Sequence, residues 1–255
     1  MGHSRRWASA VGYRLSGMVL LLVVWELVAA RAEPSMSLVR VSEAALHYLP
    51  SEEVRQSVLA SLRRIAVGFT IGSAVGLAAG FAIGLSAGLR AVFDPVWGFL
   101  RPMSPLAWVP LSIVWFGITE QAAIFVIAYA SFFPVMLNTG TGIQEVAPVY
   151  REAALTLGAR RRDVLRHVLV PAAVPYLLGG LRISLGLSWA VIVAAELVIG
   201  SVLRAGIGYL MHRYTLVLYD LPRVVVLVVL VGVLAFLADR LMRLTAQRLT
   251  PWRAT

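Results

Sequence analysis

Hydrophobic residues in this chain come in long unbroken runs, not in strict alternation. No charge occurs from Ala66 to Leu89, from Pro102 to Thr119, from Gln121 to Gln144 or from Val224 to Ala238. A helix of about 20 apolar residues crosses the ~30 Å hydrocarbon core of a bilayer. The pattern predicts an all-α, polytopic membrane protein with about six spans, near residues 14–31, 65–89, 97–118, 121–141, 176–199 and 221–241. Residues 1–255 then form a single transmembrane domain: a first span, a five-span core over 58–241, and a loop at 142–175 between spans four and five.

The segments between the runs refine this picture. "SEEVRQSVLASLRR" at 51–64 predicts an amphipathic helix with Val54, Val58, Leu59 and Leu62 on one face. "ARA" at 30–32 resembles a signal-peptidase site, but Trp25 and Glu26 late in the stretch, and the spans that follow, favour an uncleaved first span. Within the second span Gly68, Gly72, Gly76, Gly80, Gly84 and Gly88 recur every four residues. Such small residues let helix backbones approach closely in lipid. Each four-residue step overshoots a helical turn by ~40°. The ladder therefore winds around its helix, and at least two neighbouring helices are expected to pack on it. The third span carries Pro95, Pro102, Pro105 and Pro110. Interior proline removes a hydrogen bond and kinks a helix. The span is either a broken helix lining a pathway or a helix kinked at the inner membrane surface.

Composition agrees with a membrane protein and excludes several chemistries. The 255 residues are 59% hydrophobic, with a mean hydropathy of +0.81. The net charge of +10 comes from arginine alone, with no lysine. Loops that stay inside collect arginine, which explains the excess without nucleic acid. With the N-terminus inside, fourteen arginines fall on inner segments and eight on outer ones. This bias places the loop at 142–175 and both termini in the cytoplasm. Without cysteine there are no disulfides or thiolate metal sites, and without lysine there is no P-loop to hydrolyse a nucleotide. No metal-binding motif is present, so no metal and no cofactor are expected in the chain. "GLSAG" at 84–88 matches a nucleophile elbow, but it lies in the glycine ladder of a helical span, where Ser86 reads as a small contact residue. His3, His47, His167 and His212 lie outside the spans.

Ionisable residues in or beside spans are functional candidates by default. Glu26 and Glu196 fall near outer ends, Glu120 in an outer turn, Asp94 and Arg101 at the inner surface, and Arg182 near an inner end. Glu196 reads either as a pathway or gate contact or as a structural ion-pair partner. Arg182 reads as a gate residue or a snorkelling one.

"REAALTLGARRRDVLRHVLVP" at 151–171 interrupts the apolar pattern. Glu152 to Leu157 is a run of helix formers, and Gly158 is a natural stop. A second helical run, Arg160 to Val170, ends at Pro171 and gathers Val164, Leu165, Val168 and Leu169 on one face. Arg160, Arg161, Arg162 and Arg166 point elsewhere. From the residues alone, such an insert either rests on anionic lipid or docks a protein.

The insert resembles the EAA loop of permease subunits in bacterial ATP-binding cassette (ABC) importers. In that family Glu-Ala-Ala is followed by three residues, Gly, nine residues, Ile, one residue, and Leu-Pro. Here the positions are Glu152, Ala153, Ala154, Gly158, Val168, Val170 and Pro171, with Val replacing Ile and Leu. "ASLRRIAVGFTIGSAVGLAAGFAIGLS", "DPVWGFLRPMSPLAWVPLSIVWFGI", "FFPVMLNTGTGIQEV" and "GLRISLGLSWAVIVAAELVIG" resemble the nitrate/sulfonate/taurine branch, over most of residues 58–210. The resemblance implies the type I importer permease fold. It also implies a homodimer or permease heterodimer, two cytoplasmic ATPase subunits that carry ATP and Mg, and an extracytoplasmic binding protein. Glu152, Ala153, Ala154 and Gly158 would shape the coupling helix, and Arg160 to Arg162 would meet the ATPase or lipid. Glu196 matches the family's "AAE", and the branch suggests as cargo a small anion such as a sulfonate, taurine, nitrate or bicarbonate, or alternatively another organic molecule such as a vitamin precursor or an aromatic acid. A secondary transporter would leave the insert without purpose. An intramembrane enzyme would need paired acids, or Ser with His, at membrane depth.

Overall fold

The structure is a computed structural model, described over residues 16–250 except 18, 21, 32 and 204. His3 and the arginines at 5, 6, 14, 204 and 253, part of the orientation argument, lie outside the described residues, as do the start of the first span and residue 32 of "ARA".

Every regular element among the described residues is helical. Helix α1 (described over 22–31) is followed by α2 (Leu38–Tyr48), α3 (Glu52–Leu85), α4 (Ala87–Leu100), α5 (Val109–Phe116) and α6 (Glu120–Gln144). Then come α7 (Pro148–Thr156), α8 (Arg161–Val164), a π turn (Leu165–Leu169), α9 (Val170–Leu203), α10 (Ile207–His212) and α11 (Leu221–Leu249). Among the described residues, four helical stretches are long and apolar enough to cross a membrane: Glu52–Leu85, Glu120–Gln144, Arg161–Gly200 and Leu221–Arg248.

Helix α6 is the centre of the bundle. It lies between α3 and α9 and buries Ala122, Ala123, Val126, Ile127, Ala130, Val135 and Met136. Helix α9 runs antiparallel to it. Gly142 faces Tyr176, Gly180 faces the Pro134 carbonyl, and the hydroxyls of Ser131 and Ser188 are 3.0 Å apart. A second apolar cluster at the other side of α9 joins Tyr48, Val54, Leu210, Tyr214 and Leu227.

The glycine ladder packs on one helix, not two. The nearest atoms to Gly68, Gly72, Gly76, Gly80 and Gly84 all belong to α6, at Ile124/Ile127, Ala128, Phe132/Val135, Met136/Thr139 and Gly140/Ile143. Both helices advance four residues per contact and run parallel. A period longer than 3.6 makes two helices wrap in a right-handed sense, so the partner follows the winding stripe. Gly88 lies beyond the break at Ser86, outside the ladder, and Ser86 is itself a cap: its Oγ accepts from Leu89 N at 3.2 Å.

The segment 51–64 is the first part of α3, not a separate amphipathic helix. Its buried stripe is Val54, Ser57, Ser61 and Arg64, while Leu59 and Leu62 are exposed. In a bilayer the apolar residues can face outward, and small or polar ones form the contact. The second helical run of the insert does not end at Pro171. It continues into α9, because the π turn at Leu165–Leu169 absorbs the missing proline N–H, with Val170 N donating to the Leu165 carbonyl.

The third expected span, 97–118, is broken in the middle. Helix α4 ends at Leu100, and a short 3-10 turn (Pro105–Trp108) leads into α5. Tyr129 Oη donates to the Leu100 carbonyl at 2.7 Å, and Trp108 packs at a tilt on Tyr129 with ring centroids 4.8 Å apart. The break therefore sits beside the middle of α6, and Arg101 belongs there and not at the inner surface.

Candidate coupling site

The insert is built around one backbone conformation. Helix α7 ends in a Schellman turn: Gly158 N donates to the Leu155 carbonyl and Ala159 N to the Ala154 carbonyl, both at 3.0 Å. This turn needs a left-handed residue, and Gly158 supplies it with φ = +88°. The chain then restarts as α8, where the Asp163 carboxylate accepts from Arg160 N at 3.0 Å. Glu152, Ala153, Gly158, Arg160, Arg161 and Arg162 are exposed, Ala154 and Val168 are half-buried, and Pro171 is exposed at the start of α9. Val149, Tyr150, Leu155 and Leu157 also present apolar surface. Behind them, Arg151 Nη2 donates to the Ile143 carbonyl at 3.0 Å, fastening α7 to the last turn of α6. The result is a short helix with a small-residue face, tied to the end of the central helix by one hydrogen bond.

At the opposite end of the bundle lies a buried charge cluster. Glu196 of α9 and Arg64 of α3 are each about 1% exposed and pair at 2.7 Å. Ser61 Oγ donates to the same carboxylate at 2.8 Å, and Gly208 N donates to it at 3.0 Å. Arg64 also reaches the Ala205 carbonyl at 2.9 Å and Glu120 at 3.3 Å, and Arg63 pairs with Glu120. Gly206, with φ = +127°, lies so close that a Cβ there would come within 2.4 Å of the Glu196 carboxyl carbon. The cluster ties α3, α9 and α10 together through the Glu196 carboxylate, and Glu120 of α6 joins it through Arg64 and Arg63.

Arg64 was missed as a site residue, because it reads as one of several arginines in an outer segment. One signal points to it: continuing the glycine ladder one step back from Gly68 lands on position 64, on the same buried stripe.

The remaining candidates separate. Arg182 does not join the charge cluster. It bridges α9 to α11 through Asp239, with Nη2 to Oδ2 at 3.2 Å, and Arg243 pairs with the same carboxylate at 2.6 Å. All three side chains are partly exposed, where ion pairs contribute little. Asp239→Asn is expected to leave the apparent melting temperature of the purified chain nearly unchanged. A large drop would make this triad a principal tether of α11. Pro102, Pro105 and Pro110 line the α4–α5 break, with Pro102 and Pro110 exposed. Gly68 to Gly84 belong to the α3–α6 contact and serve packing.

Comparison with known proteins agrees with this architecture. The family described as "Binding-protein-dependent transport system inner membrane component" matches residues 72–251. A putative ABC transporter permease protein of Methanocaldococcus jannaschii is 36% identical, over 94% of this chain and 91% of its own length. The bicarbonate transport system permease protein of Synechococcus elongatus is 34% identical, over 89% of this chain and 84% of its own. Among solved structures, the fold is similar to a chain of the inward-facing MetNI methionine ABC transporter, with a TM-score of 0.63 and 20% identity, covering 78% of this chain and 99% of that one. Family, relatives and fold converge: the chain is a multi-pass inner-membrane permease and belongs to the binding-protein-dependent ABC importer permease family.

Proposed function

We propose that this permease forms half of the pathway of an ATP-driven importer for a small anion, and that α7 and α8 couple it to a separate ATPase subunit. The observation that carries the reading is the exposed helix–Gly158–helix insert, clamped to the end of α6 by Arg151. A force applied to α7 passes directly into the central helix. ATP and Mg belong to the partner ATPase, and this chain supplies no catalytic group. A second permease, identical or homologous, completes the pathway, and an extracytoplasmic binding protein delivers the solute. The arginine bias puts the insert and both termini in the cytoplasm. The anionic cargo, of the sulfonate, taurine, nitrate or bicarbonate class, rests on the sequence resemblance and on the bicarbonate relative.

The test is ATP-dependent uptake by the assembled transporter. Proline at 158 cannot adopt φ = +88°, and it also removes the N–H that closes the turn. Gly158→Pro, and separately Ala154→Trp, are expected to abolish uptake and co-purification of the ATPase while the chain still inserts in the membrane. Undiminished uptake in both variants would overturn the coupling role.

A further inference from the structure

The geometry points to Arg101 as the residue that meets the anion at mid-membrane depth, in the break between α4 and α5. The inference rests on the reading of the chain as an anion importer and adds to it a specific cationic contact.

Depth comes from the neighbours of the break. Trp97 packs on Phe132 and Phe133 at 5.6 and 6.1 Å, the Leu100 carbonyl accepts from Tyr129, and Trp115 and Phe116 pack on Phe125 at 5.6 and 5.5 Å. The α4–α5 segment therefore climbs along α6 toward Glu120, which pairs with Arg63 and Arg64 at one end of the bundle. Tyr129 is nine residues into α6, which is about 13 Å along the axis at 1.5 Å per residue. Helix α6 continues fifteen residues further to Gln144, roughly another 22 Å. Arg101 follows Leu100 directly, so its backbone lies well inside the hydrocarbon thickness.

Arg101 is exposed, and among the described residues it has no ion-pair or side-chain hydrogen-bond partner. A lone arginine at this depth facing lipid would be costly, and irregular backbone is not tolerated in contact with lipid tails. Both objections disappear if this face borders water. Pro102, Ser104 and Pro110 share the exposed surface of the break, and among the described residues no carboxylate lies within ion-pair distance of Arg101. An aqueous surface with an unpaired guanidinium attracts an anion and repels a cation. The guanidinium fork also matches the oxygens of a carboxylate, sulfonate or similar oxyanion.

The chain contains no cysteine, so one introduced thiol reports a single position. Ser104→Cys, in the full-length chain in membrane vesicles, is treated with impermeant methanethiosulfonate reagents bearing either a sulfonate or a trimethylammonium group. Val228→Cys, on the exposed face of α11, is the lipid-facing control. We expect Ser104→Cys to react while Val228→Cys does not, and the anionic reagent to be favoured. Adding Arg101→Gln should lower the anionic-to-cationic rate ratio by about twofold or more, and further at low ionic strength, where a unit charge is less screened. Arg101→Lys should retain most of the preference. An unreactive thiol in the Ser104→Cys chain would place the break out of water, and a ratio unmoved by Arg101→Gln would remove the arginine from the anion's path; either result overturns the proposal. Neither readout depends on ATP, so a failure of ATPase coupling gives a separate result.

Discussion

Gly72→Ala is expected to disrupt the bundle, whereas Gly88→Ala is expected to be harmless. Both positions belong to the same four-residue repeat in the sequence, but only one is in contact. A Cβ at Gly72 would lie 2.2 Å from the Ala128 carbonyl oxygen, an atom that cannot move unless α6 moves. Gly68, Gly76 and Gly80 are similarly closed, with backbone oxygens of α6 at 2.6–2.8 Å, so the helices cannot slide to relieve one site without clashing at the next. Overpacking typically costs 1–3 kcal/mol, and a backbone clash at the centre of a rigid ladder should reach about 3 kcal/mol or more. At Gly88 the nearest atom to a new Cβ is Ser86 Oγ at 3.9 Å. There alanine should gain up to about 1 kcal/mol from helix propensity. Thermal stability of the purified chains in detergent distinguishes the two. Equal stability would mean that α3 and α6 do not pack through glycine backbones.

The contrast shows what the sequence reveals and where it stops. The spans expected at 121–141, 176–199 and 221–241 were readable because apolar runs of bilayer length have few alternative uses. The insert was readable because its spacing encodes a local shape: a Schellman turn requires Gly158 whatever surrounds it. Tertiary partners were not readable in the same way. The ladder announces close packing, but the number of partners depends on how α6 winds, and that is set by both helices together. The apolar face assigned to 51–64 failed for a related reason. Inside a bilayer hydrophobicity no longer marks the buried side, so Leu59 faces out while Ser61 and Arg64 face in. The break at 101–104 was visible as prolines, but its depth became clear only from the contacts of Leu100 with Tyr129 and of Trp108 with Phe125 and Tyr129 of α6.

Arg64→Met is expected to be the most damaging single change at the charge cluster, and Glu196→Leu in the same chain should largely rescue it. With Arg64 gone, Glu196 keeps only Ser61 and the Gly208 N–H as donors in a site about 1% exposed. Removing one partner of a buried pair typically costs about 3–5 kcal/mol, because the remaining charge has no compensation. Replacing both partners by apolar groups of similar size is often close to neutral. The double variant should therefore be more stable than Arg64→Met alone, with a favourable coupling energy in the double-mutant cycle. Losses that simply add would show that the two residues act independently, against the geometry of a shared carboxylate. The rescued variant also separates structure from transport. Arg64, Ser61 and Gly208 spend their donors on one carboxylate that links α3 to α9 and α10, so restored stability with restored uptake identifies a structural tie. Restored stability without uptake would instead show that the charge itself is needed as these helices move.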